Sequence, residues 1–103
     1  MSEHTILLIQ PTQKLDSRTW SDYESVGECL EAVCKIFEEH LRKSYPEEPQ
    51  IKYDIMNLFQ FIDSLADLTC LVLDVTTHRY VPQNKDWIKH NLHTMLKNSA
   101  GLA

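Results

Sequence analysis

Apolar positions gather in short runs whose spacing changes along the chain. The first run, His4 to Gln10 (HTILLIQ), is rich in β-branched residues and is stopped by Pro11. It predicts a strand followed by a turn-rich loop from Thr12 to Ser17. Arg18 to Trp20 is a candidate second, short strand. From Ser21 the spacing becomes helical: Tyr23, Val26, Leu30, Val33, Cys34, Phe37 and Leu41 recur on one stripe. Ser21 and Glu24 have the spacing of a capping box, so the helix is expected to start there and run to about Lys43 before Pro46 and Pro49. Gly27 inside that helix costs roughly 1 kcal/mol against alanine and suggests a close approach by another backbone. Asp54 is placed to cap a second helix carrying Ile55, Leu58, Phe59 and Ile62. Leu68 to Val75 predicts a strand, joined by a Thr76-Thr77 turn to another from His78 to Val81 that Pro82 ends. Asn84 is placed to cap a third helix with Trp87, Ile88, Leu92, Met95 and Leu96, and residues 98–103 are expected to fray.

The resulting order is β-(β)-α-α-β-β-α. Hairpin-connected strands with separate helices predict an α+β fold: an antiparallel sheet with three helices on one face, in a single domain spanning residues 1–103. Strand residues alternate between faces. Leu7 and Ile9 share one face of the first strand, Ile6 and Leu8 the other; in the long later strand Leu71, Leu73 and Val75 oppose Cys70 and Val72. Both faces are therefore apolar, where a half-exposed antiparallel sheet alternates apolar with polar. Three helices cover one face only, and a large bare apolar patch is rare on a monomer. A symmetric homodimer through the sheets is the expected cover. Ile6 and Leu8, with Cys70 and Val72 from the long strand, are the expected interface residues. His4 and Gln10 would then form polar ends.

Charge narrows the functional classes. The net charge is −5, and the acidic excess lies between Asp22 and Glu48, where eight acids face three bases. Such a surface repels a phosphate backbone, which argues against direct RNA binding, the principal alternative function. The three cysteines show no paired spacing, and neither a leader-like start nor a long apolar run is present. A protein with reduced thiols, off the membrane, is expected.

Catalytic and metal signatures do not emerge. His90 and His93 share a helix face, but no third ligand is spaced to join them. Two glycines cannot build a phosphate cradle, and no nucleophile motif occurs. Cys29 lies between Glu28 and Glu31, which disfavours a thiolate, while Cys34 and Cys70 fall on apolar stripes. No enzyme activity, cofactor or metal is expected. Two other features carry a functional signal. Thr19 precedes Asp22, and Ser25 precedes Glu28, by three residues, the spacing acidophilic kinases favour. Cys29 and Ile36 lie off the main stripe of the first helix, seven residues apart and flanked by Glu28, Glu31 and Glu39. They form a candidate line for a partner segment with apolar anchors and basic flanks.

HTILLIQP at His4, DYESV at Asp22, EEHL at Glu38, YDI at Tyr53, FID at Phe61, LADLTCLV at Leu65 and NKDWIK at Asn84 together resemble the enhancer of rudimentary family, in order and spacing, over nearly the whole chain. The chain departs from the pattern in the loop from Gln13 to Ser17, at Gly27, from Pro46 to Gln50 and in a tail without basic residues. The resemblance implies a four-stranded antiparallel sheet with three helices on one side and a homodimer formed through the sheets. It also implies a small adaptor of nucleus and cytoplasm, linked to transcription, RNA processing and cell-cycle control. Such an adaptor recruits RNA-binding and RNA-processing proteins through short segments of them. It places phosphorylation at Thr19 and Ser25. The family name reflects a genetic link to pyrimidine synthesis and implies no catalysis.

Overall fold

The computed structural model describes residues 3–49 and 53–99. The chain runs β1 (Thr5–Gln10), a single turn of 3-10 helix (Leu15–Ser17), β2 (Thr19–Tyr23), α1 (Val26–Ser44), α2 (Ile55–Ser64), β3 (Asp67–Asp74), β4 (Arg79–Gln83) and α3 (Lys85–Ser99). The strands form one antiparallel sheet in the order β2-β1-β3-β4, so the two most apolar strands are central. The α+β architecture and the four-stranded sheet are as expected.

The second strand is longer, and the first helix starts later, than the pattern predicts. Ser-x-x-Glu occurs twice in succession, and the second copy is the working cap. Residues 19–23 are drawn into the ladder, with Thr19 opposite Ile9 and Tyr23 opposite Thr5. Ser25 then sits in extended backbone, and its Oγ accepts from the Glu28 N–H at 3.1 Å. The Glu28 carboxylate accepts in turn from the Glu24 N–H at 3.1 Å. Asp54 and Asn57 form a reciprocal capping box at α2, and Asn84 Oδ1 accepts from the Trp87 N–H at 3.0 Å to start α3. That helix continues through Ser99; the rest of the expected frayed tail, residues 100–103, lies outside the described residues.

The β3–β4 turn is organised by Asp74. Its carboxylate accepts from the Thr76 N–H at 2.9 Å, its carbonyl accepts from the His78 N–H at 2.7 Å, and His78 takes a left-handed φ of 59°. Pro82 does not end β4 but lies within it, opposite Leu71. The strand is an edge, where a missing N–H is tolerated if it faces away from the ladder.

The three helices lie on one side. α1 packs on β1 and β2, α3 on β3, and α2 against α1 and α3. Between them and the sheet sit Leu7 and Leu68 with Leu30, Phe37, Leu58 and Leu92, all buried. Each such side chain contributes about 1.5–3 kcal/mol when removed from water. Directly paired residues of an antiparallel sheet share a face, and Leu7 pairs with Cys70, Thr5 with Val72 and Ile9 with Leu68. Cys70 and Val72 therefore belong to the helix-covered face, not to the face of Ile6 and Leu8. Their place beside Ile6 and Leu8 is taken by Leu71, opposite Ile6, and by Thr69, opposite Leu8, with Leu73 further along β3.

Gly27 does not serve a close approach. A Cβ built there meets only the Ser25 hydroxyl, at 3.8 Å.

Candidate interaction face

The uncovered side of the sheet is an apolar centre with polar ends. β1 supplies Ile6 and Leu8, and β3 supplies Leu71 and Leu73. Trp20 stands opposite Leu8, Tyr80 opposite Leu73 and Pro82 opposite Leu71. Leu8, Tyr80 and Trp20 are 36%, 41% and 69% exposed, against 0% for Leu7 on the covered face. At one end, His4 links three strands. Its Nε2 lies 2.8 Å from the Asp22 carboxylate, its Nδ1 2.6 Å from the Tyr80 hydroxyl, and its ring meets that of Tyr80 edge-on. At the other end, Arg18 Nε donates to Gln10 Oε1 at 2.8 Å, and Gln10 Nε2 donates to the Thr12 carbonyl at 2.8 Å. Ile6 and Leu8 are thus on the open face, and His4 and Gln10 mark its ends. The face has an apolar middle and ends whose polar groups are hydrogen-bonded.

The proposed partner line on α1 does not exist as a surface. Cys29 is fully buried, its Sγ 3.6 Å from that of Cys70, and Ile36 is half-buried against the core. Sequence neighbours alone give the wrong sign for Cys29. The Cys70 thiol, donating to it, lowers its pKa despite burial, and Cys70 itself is pushed up. Cys34, buried with Glu38 and Glu31 nearby, is raised to about 11.

Sequence reading missed a cleft of ≈ 1040 Å³ between the C-terminal half of α1, α2 and the flanking residues Tyr45, Glu48, Pro49 and Tyr53. Its walls include Phe37, His40, Tyr53 and Phe61, with Glu48 at its edge. Phe37 meets Tyr53 edge-on at 4.8 Å, and His40 lies 5.0 Å from Phe61. The Tyr53 hydroxyl donates to Glu38 at 3.4 Å; burial, then the Glu38 charge, raises its pKa to about 12. The signal for this cleft was present as aromatics on two consecutive helices beside a proline-bounded connection, a pattern that reads equally as core.

The two modification candidates are far apart in character. Thr19 is exposed on edge strand β2 and lines a ≈ 360 Å³ hollow with Arg18, Trp20 and Asp67, while Ser25 is the half-buried cap of α1. His90 and His93 are exposed on α3, and among the described residues no group of three or more His, Cys, Asp or Glu is placed to hold a metal. No helix among them is long and apolar enough to cross a membrane.

Fold and face together define a small α+β domain with one sheet surface covered by helices and one left open. A model of the enhancer of rudimentary family matches residues 1–102. The chain is 54% identical to protein enhancer of rudimentary of Drosophila virilis over 97 residues, 94% of this chain and 93% of the relative. It is 53% identical to the enhancer of rudimentary homolog of Caenorhabditis elegans over 95 residues, 92% of each. With the homolog of Arabidopsis thaliana it shares 39% over 99 residues, 96% of this chain and 91% of the relative. The chain belongs to the enhancer of rudimentary family.

Proposed function

We propose that the protein is a non-enzymatic homodimeric adaptor, acting in nucleus and cytoplasm, that holds segments of RNA-binding or RNA-processing proteins. The observation that carries this reading is the open sheet face, with Ile6, Leu8, Leu71 and Leu73 at its centre and closed hydrogen-bond networks at both ends. A second copy is the occupant that fits, because a two-fold pairing sets each apolar centre on the other and leaves two equivalent outer surfaces for partners. Ile6, Leu71 and Leu73 are already half-buried in the single chain and Leu8 is 36% exposed, so covering them contributes about 25 cal/mol for each Å² of apolar surface still open, and Trp20, Tyr80 and Pro82 on the same face add to it.

The partner site moves from Cys29 and Ile36 to the α1–α2 cleft. Its aromatic walls suit an apolar anchor, and Glu47 and Glu48, with the acidic excess of α1, suit basic flanking residues. Direct RNA binding is the weaker reading, since a net charge of −5 opposes a phosphate backbone. Phosphates on Thr19 and Ser25 would act differently. At Ser25 the added charge sits on the positive end of α1, while at Thr19, opposite Ile9 on the helix-covered side of edge strand β2, it lies beside Arg18.

The test is the paired substitution Ile6→Arg with Leu71→Arg. Each side chain is on the open face, so the fold accepts the change while an interface does not. Light scattering is expected to give a dimer for the parent chain and a folded monomer for the variant. A monomeric parent, or a dimeric variant, would overturn the reading.

A further inference from the structure

Among the described residues, Cys29 and Cys70 are the free cysteines whose sulfurs touch, and nothing in the adaptor reading uses them. Cys29 stands in the first turn of α1 and Cys70 in the middle of β3, on the covered face opposite Leu7. Their sulfurs are 3.6 Å apart, 41 residues apart in sequence, and both residues are essentially without solvent exposure. A disulfide needs ~2.05 Å, so an approach of about 1.5 Å, within reach of side-chain rotation and a small helix shift, is required. Cys34 is buried one turn further along α1 with carboxylates nearby, and its sulfur is in no such pair.

We propose that Cys29 and Cys70 are an oxidative modification site, closed to an intramolecular disulfide by a small peroxide. The Cys29 thiolate attacks one peroxide oxygen. An S–O bond forms, the O–O bond breaks, and the leaving hydroxide takes up a proton as water. Cys70 then gives up its proton, and its sulfur attacks that of Cys29. The S–S bond forms, the S–O bond breaks, and a second water leaves. Two electrons pass from the thiols to the peroxide, which is consumed. Burial keeps bulky oxidants out, so the reaction proceeds through local opening of the first turn of α1 and selects for small ones. The product ties the N-terminal turn of α1 to a central strand, across the layer that separates helices from sheet. Closing a loop of this length shifts the folded-to-unfolded ratio by on the order of several hundred-fold in the chain-entropy account.

The full chain, reduced and then exposed to hydrogen peroxide, is denatured in N-ethylmaleimide, and its mass is measured. Cleavage after Glu31 separates Cys29 from Cys34. The expected product has lost two hydrogen atoms, carries one maleimide instead of the three that the reduced cysteines accept, and yields a Cys29–Cys70 linked peptide. Dithiothreitol restores all three adducts. The Cys34→Ser variant is expected to cross-link equally, and Cys29→Ala and Cys70→Ala not at all. The oxidised protein is expected to unfold at higher urea than the reduced one. Three adducts after peroxide exposure, oxygen addition without a cross-link, or a link through Cys34 would each overturn the proposal. The parent chain suffices to decide it, so a variant that folds poorly does not weaken the test, and monomer or dimer alike can show it.

Discussion

Replacing Gly27 with alanine is expected to stabilise the protein. Glycine inside a helix forfeits about 0.5–1 kcal/mol relative to alanine through the freedom it retains when unfolded. That gain is lost wherever the new methyl group collides, and here its closest neighbour is the Ser25 hydroxyl at 3.8 Å, an ordinary contact. Gly27 is the second residue of α1, where the backbone is only partly committed to intrahelical bonds, so about 0.5 kcal/mol is the appropriate figure. For a domain of this size that is about 2–4 °C in melting temperature. Urea denaturation at fixed protein concentration should show a higher midpoint with the slope unchanged, which separates a stability effect from a change in the unfolded ensemble. A lowered midpoint would refute the reasoning, because it would mean that something packs against Gly27 in the assembled protein that a single chain does not display.

Ser25→Ala is expected to cost about 1 kcal/mol by removing the α1 cap, whereas Ser25→Asp, itself a good cap, should keep most of it; equal urea midpoints for parent and alanine variant would disprove the cap. Tyr53 gives a pH signature. Its pKa rises from 10.0 to about 12 on folding, so the unfolded chain loses that proton first; the contribution is present below 10.0 and is lost as pH rises through about 12. Tyr53→Phe should reduce that alkaline loss, leaving the part due to the buried Cys34 and Cys70, whose pKa values are also raised, and an unchanged stability profile above 10.0 would count against the buried hydroxyl. Purified protein should show no retention on single-stranded RNA in a filter assay at physiological salt; micromolar affinity there would reverse the assignment of partner class.

The fold was readable because its signals are local: Pro11 after a β-branched run, Asp54 and Asn84 ahead of helical spacing, and an apolar stripe from Val26 to Leu41. What escaped was relational. Alternation tells which residues of one strand share a face, but not which residues of another strand join them, and one step of register exchanged Cys70 and Val72 for Leu71 and Leu73. The doubled Ser-x-x-Glu left two possible starts for α1, and only pairing of residues 19–23 with β1 settles between them. Cys29 read as a surface residue because it lies off the main stripe. α1, however, covers both β1 and β2 and packs on α2 and α3, so its buried arc is wider than a single stripe. The α1–α2 cleft depends on the angle between two helices, which no residue pattern encodes.

Pro82 bears on how far association can go. A sheet has two ways to recruit another: across its face, or by adding a strand at its border. The second repeats without limit, since every added strand exposes a fresh border, and it is the route to fibres. Pro82 sits within the outermost strand, where its ring nitrogen has no hydrogen to offer a newcomer, and it does so opposite Leu71, within the apolar centre of the open face. One residue thus adds apolar surface to the face on which the proposed dimer would close and withholds a hydrogen bond from the unlimited contact. In the proposed dimer this favours a closed pair, and strand addition at the β4 border is disfavoured.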